Sequence, residues 1–172
     1  MLETEGSIAV KIKIFSVGGT IDKVYFDKLS EFQVGFPSVH EMLDGLPIAF
    51  EYEIESLLRK DSLDMNDADR QLVREAVEAE SCPHIIVTHG TDTMPETGRT
   101  LSGIPGKCIV LTGAMEPAHF KSGDAMFNVG VAVGAVSSLP DGVYIAMNGR
   151  IFDPFRCRKN RELHIFEEVP EP

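Results

Sequence analysis

Positive charge is scarce in this sequence. Its 172 residues hold 16 Lys and Arg against 27 Asp and Glu, a formal net charge of -11, with a sequence pI near 4.8. A phosphate backbone is gripped by clustered Lys and Arg, so the composition argues against a nucleic-acid partner. The one dense basic stretch contains Arg156, Arg158, Lys159 and Arg161 and reads as local chemistry. Cysteine is scarce too: Cys82, Cys108 and Cys157 are odd in number and far apart, which favours neither a disulfide framework nor a zinc ribbon and fits a reducing compartment. His84 and His89 lack further ligands at metal spacing, so no metal is expected. Residues 1–7 lack the basic start and apolar core of a secretory leader. No apolar run reaches the about 18 residues that a membrane span needs. These absences predict a cytoplasmic protein without a membrane partner.

What the chain does have is 43% hydrophobic content, enough at this length for one domain with its own core. β-Branched or apolar stretches at residues 8–17, 49–55, 84–88, 107–112 and 142–147 predict strands. Between them, Asn66, Asp67 and Asp69 open a helix whose apolar stripe is Leu72, Val73, Ala76 and Val77. Residues 124–137 combine strand-like valines with Gly130 and Gly134, and their length predicts a buried helix. Strands alternating with helices predict an α/β fold: a mostly parallel sheet with helices on both faces, Rossmann-like and three-layered, in a single domain spanning 1–172. Residues 1–7 and 167–172 are expected to be loose tails.

Open parallel sheets bind ligands at the carboxyl ends of their strands. Small and reactive residues gather there in this sequence: Gly18-Gly19-Thr20, then Ser62 and Asp64, then Gly90-Thr91-Asp92, then Gly113-Ala114-Met115. Each has a plainer reading. Gly18-Gly19 can be an ordinary turn, and Thr91-Asp92 can be a helix cap. Met65, Met94, Met115 and Met126 read as core filler. The glycine loop lacks the third spaced glycine of a dinucleotide fingerprint, which excludes that ligand.

Taken together, the four segments resemble one family. Gly18-Gly19-Thr20-Ile21, Ser62-Leu63-Asp64-Met65-Asn66-Asp67, Thr88-His89-Gly90-Thr91-Asp92-Thr93-Met94 and Leu111-Thr112-Gly113-Ala114-Met115 are similar, in order and spacing, to the larger N-terminal domain of the bacterial-type L-asparaginases. The run from Thr88 to Met94 is the most specific of the four, and the resemblance extends over about residues 10–159. It implies hydrolysis of L-asparagine to L-aspartate and ammonia by a threonine nucleophile, with no cofactor.

The same resemblance implies roles. Thr20 is the nucleophile. Thr91 belongs to a second cluster in which a lysine, kept neutral by its surroundings, relays a proton through the threonine hydroxyl; the matching lysine is Lys159, with Arg156, Arg158 and Arg161 around it. Asp92 takes the substrate's α-ammonium and Ser62 its α-carboxylate, while Gly90, Thr91 and Ala114 face the amide and its developing oxyanion. A lid tyrosine falls on Tyr25, or, in another alignment, the lid position falls on Phe32, which has no proton to share. Two departures stand out. Leu63 replaces a glutamine frequent in relatives, and the smaller C-terminal domain has no counterpart. A homo-oligomer is expected. The competing functions are a broader glutaminase-type amidase and a non-catalytic amino-acid-binding module.

Overall fold

The computed structural model describes residues 10–26, 31–120 and 122–170. The expected loose segment 1–7 lies outside them. In chain order the strands and helices are β1 (Val10–Gly18), β2 (Lys23–Phe26), β3 (Glu31–Val34), α1 (Val39–Leu43), β4 (Phe50–Lys60), α2 (Asp67–Ala79), β5 (His84–Thr88), α3 (Met94–Thr100), β6 (Cys108–Thr112), α4 (Ala125–Val136), β7 (Gly142–Met147), β8 (Arg150–Phe152), β9 (Cys157–Asn160) and β10 (Ile165–Glu168). The main sheet runs β4-β1-β5-β6-β7-β8. Its first five strands are parallel and β8 turns back antiparallel to β7. From β1 the chain first moves outward to β4 and then crosses to β5 on the other side. Strand order therefore reverses between β1 and β5, and their carboxyl ends flank the crevice that this topology opens.

The strands alternate their side chains between two apolar layers, as a sheet covered on both faces requires. Phe15, Val17, Ile85, Val87, Ile109, Leu111 and Ile145 meet Val73 and Val77 of α2 and Met94 of α3 on one face. Ile12, Ile14, Ile86, Val110 and Ala146 meet Val39 and Met42 of α1 and Val129, Ala132 and Val136 of α4 on the other. The expected three-layer α/β domain is thus present. Among the described residues no helix is long and apolar enough to cross a membrane.

Local chemistry explains the helices. Asn66 caps α2 in a reciprocal box with Asp69: each side chain accepts from the other's backbone N–H at 3.0 Å. Of the expected α2 stripe, Val73 and Val77 are fully buried, whereas Leu72 faces solvent. The ambiguous segment 124–137 is helix, α4, opening at Asp124.

Three expectations need correction. The second strand runs to Lys60 rather than ending at residue 55. It is an edge strand, and its outward Glu51, Glu53 and Glu55 alternate with inward Tyr52 and Ile54, so polar residues there do not end it. Glu167 and Glu168, expected in a loose tail, pair in β10 with Arg158 and Cys157 of β9, and the buried Phe166 pins that strand to the core. Met126, expected as core filler, stands 47% exposed.

Candidate active site

Glycines let the strand-end loops touch. Gly18 and Gly19 both have φ near +90°, a conformation that L side chains rarely adopt. A Cβ on Gly19 would collide with the backbone of Gly90, one on Gly90 would reach Ser62, and one on Gly113 would strike the His89 carbonyl. The turns after β1, β4, β5 and β6 are therefore locked backbone against backbone. Gly19 N–H also donates to the Lys60 carbonyl at 2.9 Å, and His89 N–H to the Thr112 carbonyl at 2.9 Å. Thr20 follows Gly19 and Thr91 follows Gly90, so the contact between these glycines draws the two threonines to one crevice.

Thr91 is buried, and Lys159 Nζ donates to its Oγ1 at 2.7 Å. The same ammonium lies 3.2 Å from Asp92 Oδ2. Arg161 Nε donates to the other oxygen, Asp92 Oδ1, at 3.0 Å. These contacts span 68 and 69 residues of sequence, and the hairpin β9–β10 brings them together. Lys159 also sits near Asp61. Burial would push the Asp61 carboxyl up, but hydrogen bonds from Lys23 and the Leu63 N–H, and the charges of Lys23 and Lys159, hold it below its ordinary value. The capping alternative for Thr91 and Asp92 fails: α3 is capped at Thr93, whose Oγ1 instead donates to the Ser62 carbonyl at 2.9 Å.

Ser62 is buried with its Oγ lacking a hydrogen-bond partner among the described residues. A buried hydroxyl left so is costly and marks a place where a ligand's acceptor or donor fits. Ala114 is fully buried; Met115 N–H beside it donates to both Asp124 oxygens at 3.0 Å.

Residues 11–170 match the family described as "Asparaginase, N-terminal". The chain belongs to that family. It is 33% identical over 153 residues to a protein named "Probable L-asparaginase periplasmic" from Haemophilus influenzae, covering 81% of this chain and 43% of the relative. It is 32% identical over 134 residues to a "Glutaminase-asparaginase" from Acinetobacter glutaminasificans, covering 74% and 39% respectively. Among solved structures it is similar to the thermostable L-asparaginase from Thermococcus kodakarensis, with TM-score 0.83, 26% identity, and coverage of 94% of this chain and 52% of that one. The chain thus spans about half the length of the relatives it matches.

Within this asparaginase domain one expected residue stands apart. Tyr25 of β2 lies directly opposite Phe32 of β3, with ring centroids 5.4 Å apart. The two alternatives for the lid position are therefore neighbours on one hairpin face. Tyr25 is 51% exposed and lines, with Val24, Phe36, His119 and Met126, a groove of about 760 Å³ that includes none of Thr91, Asp92 or Lys159. Among the described residues its hydroxyl makes no hydrogen bond, and Phe32 is the aromatic neighbour of its ring. The arginines expected around Lys159 are engaged with acids, Arg158 with Glu167 and Arg161 with Asp92.

Several residues support these loops, among them His89, read from the sequence as structural and not as a metal ligand. His89 is fully buried; its Nδ1 lies 2.7 Å from the Gly90 carbonyl and its Nε2 2.8 Å from Thr97 Oγ1. Desolvation lowers its pKa to about 4, helped by the charge of Arg70 and opposed by the Gly90 hydrogen bond. The ring is thus neutral at pH 7, with Nδ1–H donating to Gly90 and Nε2 accepting from Thr97. It braces the loop that carries Thr91. Asp22, two residues after Thr20, has its carboxyl pushed up by burial against the hydrogen bonds from the Ser38 N–H and the Ser16 hydroxyl. Those bonds, 2.7 and 2.9 Å, tie the Thr20 turn to β1 and α1. Asn128 Nδ2 donates to the Gly113 carbonyl at 3.0 Å and its Oδ1 accepts from Asn148 N–H at 3.1 Å, steadying the fourth loop.

Proposed function

We propose that this domain hydrolyses the side-chain amide of L-asparagine to L-aspartate and ammonia by double displacement, without a cofactor. The observation that supports it most is the 2.7 Å contact between Lys159 Nζ and the buried Thr91 hydroxyl, with Asp92 completing the cluster. A primary amide is a poor electrophile, and two steps through an ester need an oxygen nucleophile plus groups that move its proton. Thr20 attacks the amide carbon, the C–N bond breaks, and ammonia leaves with the proton that the nucleophile gave up. Water then attacks the ester at the same carbon, the bond to Thr20 Oγ1 breaks, aspartate is released and a proton from the water returns to Thr20. The Thr91–Lys159 pair serves the proton transfers, Lys159 accepting only when it has lost one of its own. Ser62 Oγ takes the α-carboxylate, Asp92 the α-ammonium, and the backbone at Gly90, Thr91 and Ala114 faces the amide oxygen. Tyr25 is proposed to act only when the hairpin that bears it swings over the crevice.

A second reading, amide hydrolysis extending to glutamine, is favoured by the relative named for both activities and by Leu63, which stands 62% exposed and offers no hydrogen bond to fix substrate length. We further propose a homo-oligomer, and a cytoplasmic setting in which Cys82, Cys108 and Cys157 stay as the buried free thiols seen here. Ammonia release by the purified protein on asparagine, on glutamine and without substrate tests the reading. Release from asparagine above the blank is expected; equal rates on both amides would move the function to the second reading, and none on either would remove both.

A further inference from the structure

Asp92 has two carboxylate oxygens, and both are taken. Lys159 Nζ is 3.2 Å from Oδ2, and the same lysine is committed to Thr91 at 2.7 Å, so displacing it would dismantle the proton relay. Arg161 holds Oδ1 at 3.0 Å. The two cations differ in how firmly they are held. The Lys159 side chain is 14% exposed, whereas that of Arg161 is 68% exposed, and its pairing with Asp92 is the only side-chain hydrogen bond or ion pair it makes among the described residues. An exposed ion pair is screened by solvent and easily exchanged.

We propose that Arg161 is a specificity-determining gate: its guanidinium occupies the position on Asp92 that the substrate's α-ammonium must take, and swings into solvent when an α-amino substrate arrives. The inference rests on the asparaginase reading, in which Asp92 receives that ammonium. It adds a competition. Substrates bearing an ammonium must displace Arg161, while an otherwise identical amide without one leaves the pair in place. Arg161 also keeps the Asp92 carboxylate compensated while no ammonium is there, so other small cations meet an oxygen that is already paired. The gate therefore raises the concentration of asparagine needed for half-saturation and takes no part in bond breaking.

The test compares the wild-type chain with Arg161→Ala and Arg161→Gln, measuring KM for asparagine and for succinamic acid, which is asparagine without its α-amino group. An exposed ion pair is worth about 0.2–1 kcal/mol, so relief of the competition is expected to lower the ratio of the asparagine KM to the succinamate KM by about 1.4- to fivefold in both variants. A loss of structure alone would move both constants together and leave the ratio where it was. A ratio that is unchanged or higher in active variants overturns the gate and leaves the asparaginase reading standing. A wild-type protein that releases ammonia from neither amide overturns the asparaginase reading, and the gate with it.

Discussion

Thr20 and Thr91 sit on turns pressed together by Gly19 and Gly90, yet the chemistry assigned to them differs, and neither can stand in for the other. Thr20→Ala and Thr91→Ala are each expected to lower kcat for asparagine by about a hundredfold or more, with circular dichroism unchanged. A variant keeping more than about a tenth of the wild-type rate would remove that threonine's role. His89 acts at one remove, and its expected effect is on stability. Its folded pKa of about 4 lies below the ordinary value of 6.5. The contribution of the neutral ring is therefore complete above pH 6.5 and is lost as pH falls from there toward 4. The full loss amounts to about 3 kcal/mol. Urea unfolding of wild type and His89→Gln at pH 7 and pH 4.5 isolates it: the stability advantage of the wild type should shrink at the lower pH, and an advantage equal at both would contradict the assignment. The signature residues were legible because Thr20, Ser62, Thr91 and Lys159 recur in motif order. The braces His89–Thr97 and Asp22–Ser38 were not, since a buried histidine and a buried aspartate look like any others until their partners across 8 and 16 residues are known.

At the scale of elements, the site depends on four loops approaching more closely than side chains permit. Gly19 has φ +90° and its Cβ would enter the Gly90 backbone, where neither side can yield. Gly19→Ala should therefore cost about 3 kcal/mol or more, through backbone strain and steric overlap together. Thermal unfolding checks this: a melting temperature within a few degrees of wild type would show that the loops are not locked as described. The five parallel strands and the longer helices α2 and α4 were readable from the sequence, because apolar or alternating runs and helix-length apolar segments are strong local signals. The short strands β2, β3, β8, β9 and β10 were not. Each spans four residues or fewer, and their pairing is decided by tertiary contacts such as Phe166 against Phe152 rather than by local pattern. That gap matters, because β9 carries Lys159. Its arrival beside Thr91 followed from motif order alone, and only the hairpin with β10 supplies the physical reason.

For the whole molecule, the crevice between β1 and β5 is a property of topology, and the reacting groups stand on a sheet covered on both faces. Large apolar side chains nevertheless remain in solvent: Phe36 is 77% exposed, Leu163 64%, Phe127 60% and Phe155 58%. Exposed aromatic surface on this scale favours self-association. Light scattering is expected to give a dimer or higher mass, and a monomer mass at every workable concentration would exclude it. Amide hydrolysis is proposed to run through Lys159 acting on the Thr91 hydroxyl, 2.7 Å away. Steady-state ammonia release from asparagine by wild type and Lys159→Met, which keeps the length of the side chain without its amine, tests it most directly. Measurable turnover by the wild type is expected, with a kcat at least about a hundredfold lower in the variant; a Lys159→Met protein working within about tenfold of the wild type would rule out that role for the lysine.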